Sequence, residues 1–219
     1  MRRNEITVLF ILVLLLTTSA SGQEISRSFS VAKSLPDQVG STDFEFSTAT
    51  HSYKISHQGK GLRGSSNETP LSFSLRLDKA DHLTRSLYYA EYQGDLLLLG
   101  EVSDHEYGSG FIVRLDGRTL QIKWKQIVSG FNIGPGLIDG SSAYVTAIGF
   151  IGKVSLKTGA YAWLHKDLYR QSNSAFNSFE IPEVIGNIVV FREIAFYLRK
   201  KIAIIRVERW KGKIISLDT

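Results

Sequence analysis

Side chains able to do acid–base or metal chemistry are few and scattered in this chain. The five histidines are His51, His57, His82, His105 and His165, and no two share a short ligand spacing such as His-x3-His. Asp104-His105-Glu106 sets an imidazole between two carboxylates. General acid–base work needs such groups to converge on one substrate atom. Neighbours in sequence rarely face the same way, so the triplet reads as a solvated loop. A Gly-x-Ser-x-Gly elbow, a P-loop and a dinucleotide fingerprint are all missing. Gly130 to Gly136, GFNIGPG, precedes a strand pattern and not a helix, which makes it a connector and not a phosphate cradle. The expectation is no catalytic, cofactor-binding or metal-ligating residue, and no cofactor.

Charge gives a second candidate. Arg192, Arg199, Lys200, Lys201, Arg206, Arg209, Lys211 and Lys213 stand against Glu193 and Glu208, with Phe191, Phe196, Tyr197 and Trp210 interleaved. Basic residues among aromatics suit nucleic acid or anionic lipid headgroups. Ile202, Ile204, Ile205 and Val207 instead give this segment a strand pattern with charged outer positions. A solvated edge is the leading reading, and an anionic partner at 192–213 the lesser one. The formal charge of the chain is +5, and +4 once Arg2, Arg3 and Glu5 are removed with residues 1–22. That excess is modest, and no nucleic acid is expected.

The elements that would position these residues come from an internal repeat. GFIVRLDGRTLQIKW, Gly110 to Trp124, returns as GFIGKVSLKTGAYAW, Gly149 to Trp163, 39 residues later without a gap. Arg76-Leu77-Asp78 matches Arg114-Leu115-Asp116 at a spacing of 38, and Val207 to Lys213 matches Val154 to Ala160 at 53. A second register runs through Gly94, Gly140 and Gly186, each 46 residues from the next and each leading into an apolar run. These read as tight turns before buried strands. The larger last step predicts an insertion, placed at Arg192 to Lys201. Alternation in Phe73, Leu75, Leu77 and in Phe111, Val113, Leu115 gives strands, with Ile112 and Arg114 facing the other way. A further strand over Phe131 to Ile138 makes four strands per roughly 40 residues, the period of a β-propeller blade.

The motif Gly-x-hydrophobic-x-x-Leu-Asp-x-x-Thr-Gly-x-x-x-Trp resembles the blade motif of quinoprotein-type (pyrroloquinoline-quinone-like) propellers. Gly110, Ile112, Leu115, Asp116, Thr119 and Trp124 fit it, with Leu120 where glycine is usual. Gly149, Ile151, Val154, Thr158, Gly159 and Trp163 fit it again, with Ser155 where aspartate is usual. Leu77 and Asp78 lack the tryptophan, and the unit around Gly212 has Ser216 in its place. The resemblance implies an all-β fold of four-stranded antiparallel blades, about three to four of them over residues 71–219, as an incomplete or open propeller. It places Thr-Gly in the turn between third and fourth strands, and tryptophan against the next blade. The family's quinone-dependent dehydrogenases hold quinone and calcium with carboxylate and amide ligands, often beside a vicinal disulfide. No such ligand set maps onto this chain, which has no cysteine.

Residues 1–22 read as a signal peptide: Arg2 and Arg3, the apolar run Ile6 to Leu16, then small residues, with cleavage near residue 22. The run is shorter than the roughly 20 residues that span a bilayer. Residues 23–70 read as a polar N-terminal extension of low order lending one or two strands, among them Asp43–Phe46 and Ser52–Ile55. Three architectures stay open: an arc that pairs with another chain, an arc capped by its own extension, and a truncated gene product. The expected function is an exported, periplasmic or extracellular, non-catalytic module that binds or scaffolds protein partners in the cell envelope through loops or an exposed sheet edge. A homo-oligomer fits as well. The competing reading is a remnant or subunit of a quinone-dependent dehydrogenase.

Overall fold

The three register glycines do make tight turns. Gly94, Gly140 and Gly186 all take positive φ, at 78°, 56° and 58°, and each closes a two-residue hairpin. The apolar runs that follow are strands buried on both faces, which is why Leu96-Leu97-Leu98-Leu99 shows no polar alternation. The computed structural model describes residues 26–34, 44–58, 61–66, 72–76, 82–103, 108–128, 130, 132–168, 178–194 and 202–219. Residues 1–22, which the sequence reads as a signal peptide, and the Asp104-His105-Glu106 triplet lie outside these.

The described strands are, in chain order, β1 (Arg27–Ser28), β2 (Ser30–Val31), β3 (Lys33–Ser34), β4 (Phe44–Ser47), β5 (Ser52–Gln58), β6 (Gly61–Ser66), β7 (Ser72–Arg76), β8 (His82–Tyr92), β9 (Asp95–Ser103) and β10 (Gly108–Leu115). They continue as β11 (Ile122–Val128), β12 (Leu137–Asp139), β13 (Ser142–Ala147), β14 (Phe150–Ser155), β15 (Tyr161–His165), β16 (Glu183–Ile185), β17 (Ile188–Arg192), β18 (Ile204–Glu208) and β19 (Ile214–Asp218). Four antiparallel meanders follow one another: β4–β7, β8–β11, β12–β15 and β16–β19. The protein is all-β, built of propeller-type blades of four strands. None of the sheets closes on itself, and among the described residues no ladder joins the first blade to the fourth.

Adjacent blades pack face to face. Phe46, Tyr53 and Ile55 of the first blade meet Leu96, Leu98, Phe111 and Leu115 of the second. Leu97, Leu99 and Ile112, on the second blade's opposite face, meet Val145, Phe150 and Val154 of the third. Tyr144, Ile151 and Trp163 then meet Val189, Phe191, Ile205 and Val207 of the fourth. Each sheet is thus apolar on the face it turns to its neighbour, and burying that face supplies most of the driving force.

The N-terminal segment lends more strands than the one or two expected. It crosses the inner edges of three blades in reverse order: β1 pairs with β12, β2 with β8 and β3 with β4. Between these pairs Phe29 and Ala32 turn inward, and their amides donate to Gly136 O at 3.1 Å and Leu87 O at 2.9 Å. Phe29 fills the junction of the second and third blades, Ala32 that of the first and second. The period is three because three extended residues span about 10 Å, the distance between packed sheets. The chain thus pairs the inner edges of three of its four blades with its own strands.

Other expectations shift in detail. Arg76 ends the fourth strand of its sheet, whereas Arg114 lies in the third of its own, so the match at spacing 38 has no counterpart in the strand register. The first blade straddles residue 70, with β4, β5 and β6 before it and β7 after it. The strand expected over Phe131 to Ile138 is only Leu137–Asp139. Gly134 and Gly136 hold the preceding segment against the core, where a Cβ on Gly134 would come within 2.4 Å of Thr146 Oγ1. The extra residues of the last repeat do fall between β17 and β18, which residues 193–203 separate, where Ile148 and Gly149 alone separate β13 from β14.

Candidate functional site: the turn face and outer edge

The turns between third and fourth strands carry the repeat's polar residues to one end of successive blades. In each, the residue of the glycine position donates its amide back to the start of the turn: Leu120 N to Asp116 O, Gly159 N to Ser155 O and Gly212 N to Glu208 O, all at 2.8–2.9 Å. All three residues sit at positive φ, 55°, 75° and 72°. Asp116 also accepts from the amides of Arg118 and Thr119 at 3.0 and 2.9 Å. The Thr119 amide, the Lys123 ammonium and the Arg118 amide hold its carboxyl well below the usual carboxylate range.

Tryptophan joins one turn to the next blade. Trp124 Nε1 donates to Leu156 O at 3.0 Å, and Arg114 Nη1 donates to the same oxygen at 2.7 Å. One blade on, Trp163 Nε1 and Lys153 Nζ share Arg209 O at 3.3 and 3.2 Å. Arg114 and Lys153 are equivalent in the repeat, as are Leu156 and Arg209. His165 Nε2 adds a bond to Gly212 O at 2.6 Å. The tryptophans are wedges between blades, as the repeat implies.

Two buried carboxylates anchor the same end. Asp95 binds Arg114 Nε at 2.5 Å, Lys123 Nζ at 2.8 Å and the Gly117 amide at 3.2 Å. Burial works to raise its carboxyl, but the bonds from Lys123, Arg114 and Gly117 outweigh it and hold it low. Asp139 receives Arg209 through both Nε and Nη2, at 2.8 and 2.6 Å, and the Tyr144 hydroxyl at 3.0 Å. Burial and the adjacent Asp139 carboxylate push the Tyr144 hydroxyl far up, so it stays protonated as a donor. Every one of these charges is spent on joining turns and blades.

Of the sequence candidates, His51 makes a local bond to Thr50 Oγ1 at 2.8 Å, and His57 and His82 lie in β5 and β8. No group of three His, Cys, Asp or Glu converges among the described residues. Of the basic segment, Arg192 pairs with Glu183 at 3.5 Å, Arg206 pairs with Asp218, and Arg209 is committed to Asp139. Sequence reasoning missed the buried Asp95 and Asp139, although both flank the register glycines Gly94 and Gly140. It also missed a cleft of about 480 Å³ lined by Val31, Phe46, Tyr53 and Tyr89, with the Glu45–Lys54 pair and the Ser47 and Ser52 hydroxyls at its polar side. The cleft opens where β3 stops covering β4, beyond Glu45.

What stays outward is the far edge of each blade. Strands β11, β15 and β19 are last in their sheets and carry Ile127, Leu164 and Ile215 outward, Ile127 and Ile215 more than half exposed. Trp210, 59% exposed at the tip of the last turn, lies beside Lys153 Nζ and Arg209 Cζ, 4.4 and 4.6 Å from its ring centroid.

Solved structures with a similar path include a europium-containing methanol dehydrogenase, 15% identical, with a TM-score of 0.41 over 65% of this chain and 26% of that one. Another is a subtype N10 neuraminidase-like protein of A/little yellow-shouldered bat/Guatemala/060/2010, 11% identical, with a TM-score of 0.44 over 89% of this chain and 63% of that one. The chain spans about a quarter of the first and less than two thirds of the second. No protein-family model and no curated protein sequence matches it.

Proposed function

We propose that the protein is an exported, non-catalytic propeller-type module that binds a protein partner in the cell envelope along its outer strand edges. The observation that carries this reading is the contrast between inner and outer edges. The inner edges of three blades are paired by the chain's own N-terminal strands. The outer strands β11 and β19 have no further strand beyond them among the described residues and project Ile127 and Ile215, with the Ile127 carbonyl accepting from the Tyr161 hydroxyl at 2.7 Å. An extended segment of a partner adds to such an edge by main-chain hydrogen bonds, with apolar side chains setting register. The buried charges support a binding role over a chemical one, because Asp95, Asp139, Arg114 and Arg209 are consumed in joining turns and blades. The apolar run Ile6 to Leu16 after Arg2 and Arg3 supports export.

A photo-crosslinking residue placed at Ile127 or Ile215 in the expressing cell tests the binding surface. Specific adducts at these positions and none from a residue at Val31, beside the inner edge, are expected. Adducts only from Val31 would contradict it. Cell fractionation with N-terminal sequencing tests export, and a cytoplasmic, unprocessed chain would overturn that part. Adding pyrroloquinoline quinone with calcium tests the enzymatic alternative: a spectral change with thermal stabilisation would favour a quinone-dependent dehydrogenase subunit.

A further inference from the structure

We propose that the turn face binds an anionic membrane surface, with Arg118, Lys157 and Lys211 on lipid phosphates and Trp210 at headgroup depth. The three cations occupy the tips of the turns β10–β11, β14–β15 and β18–β19, and all three are exposed. The bonds from Trp124 to Leu156 O and from Trp163 to Arg209 O fix these turns side by side. Of the acids at this end, Asp95 and Asp116 are engaged with Lys123 and Asp139 with Arg209, while Glu208 opens the last turn half-buried, behind its tip. Arg118, Lys157 and Lys211 have no carboxylate partner among the described residues. The tips of the three turns therefore carry cations and no acid.

The spacing selects the ligand. Packed sheets lie about 10 Å apart, so cations carried one per blade are too far apart to converge on a single anion. A plane of laterally mobile phosphates satisfies each of them separately. Trp210 supplies the second part of the match, an indole projecting from the same row beside Lys153 and Arg209. Amphipathic rings of this kind settle at the membrane–water interface, and nearby cations strengthen attachment to anionic lipid. A bilayer is thus favoured over an acidic polypeptide or a nucleic acid strand. The surface is separate from the outer edges assigned to a protein partner, so either assignment can fail alone.

The test is sedimentation of the exported protein with vesicles of equal phosphatidylglycerol and phosphatidylcholine, compared with phosphatidylcholine alone. The triple variant R118E/K157E/K211E carries the same N-terminal region and differs only at the turn tips. Expected are binding to the anionic vesicles, loss of that binding at high salt, and affinity roughly a hundredfold lower in the variant, about fivefold for each cation removed. Trp210 emission should shift to the blue on binding, and Trp210→Phe should lose the shift while keeping its unfolding midpoint. Inorganic phosphate at equal charge should not displace the vesicles. Undiminished binding by the triple variant, equal binding to neutral vesicles, or tighter binding to polyglutamate or single-stranded DNA would overturn the proposal.

Discussion

Gly159 lies so close under Trp124 that a Cβ on it would come within 2.8 Å of the indole. The pair spans two blades: Trp124 belongs to β11 of the second, and Gly159 to the turn that opens into β15 of the third. The same relationship recurs between Trp163 and Gly212, where the Cβ distance would be 2.4 Å. A glycine is needed twice over, for its positive φ and for the ring above it. Gly159→Ala should cost about 2–4 kcal/mol, combining left-handed strain with overpacking. Urea unfolding of the full chain measures it, and a loss under 1 kcal/mol would mean that the ring does not sit there.

Leu120 holds the equivalent position in the second blade, at positive φ without being glycine. No tryptophan precedes it, since β7 reads Ser-Phe-Ser-Leu-Arg. Its side chain is buried in the junction with the first blade. Leucine fills there the volume that a ring fills between later blades. Leu120→Gly relieves strain of about 1 kcal/mol but empties a buried site worth about 2–5 kcal/mol. A net loss in unfolding free energy is expected, opposite to what backbone strain alone predicts.

Asp139 is buried and depends on Arg209 for its counter-charge. Arg209→Met should destabilise by about 3–5 kcal/mol, because it strands a carboxylate in the core. Adding Asp139→Asn should recover a good part of that loss. Chemical denaturation of both single variants and the double variant measures this, and a double-variant loss equal to the sum of the single losses would show the pair to be independent.

Acid should weaken the turn face first. Asp95 and Asp116 both titrate below their ordinary range. A carboxylate with a depressed folded-state pKa adds stability that is present above its unfolded value, about 3.9, and disappears as the pH falls through the folded one. Stability should therefore drop below about pH 4, and Asp95→Asn should be less stable at pH 7 yet show a shallower acid slope. Denaturation midpoints across pH 2–7 test this.

The later blades were legible in sequence because their third and fourth strands repeat one device, a glycine turn under a tryptophan. Phe111, Leu115, Phe150 and Val154 are buried strand residues as their alternation indicated. The first blade hid because β4–β7 carry neither the tryptophan nor the Gly-Asp turn. The N-terminal crossing segment, β1–β3, hid for a different reason. Its two-residue strands bury Phe29 and Ala32 at a period of three, which is set by the distance between sheets and matches neither strand nor helix periodicity. Of the candidate surface, Lys211 and Trp210 lay within the basic segment visible in the sequence, whereas Arg118 and Lys157 joined them only through the stacking of the blades. The division of that segment into Arg209, tied to Asp139, and the exposed Lys211 depends on long-range packing that local pattern does not encode.

The N-terminal crossing of β1–β3 is the most direct test, because its reversed order across the blades is what pairs three inner edges with the chain's own strands. The chain has no cysteine, so each double variant holds one possible disulfide. Ser28 faces Leu137 and Ser30 faces Tyr89 across antiparallel ladders, where Cα separations of about 4.5–5.5 Å suit a disulfide. Oxidation of S28C/L137C and S30C/Y89C, read by thiol counting and mass spectrometry, should give near-complete intramolecular bonds, and S28C/Y89C should give none. Efficient linkage in the mismatched pair, or thiols left free in both matched ones, would contradict the account.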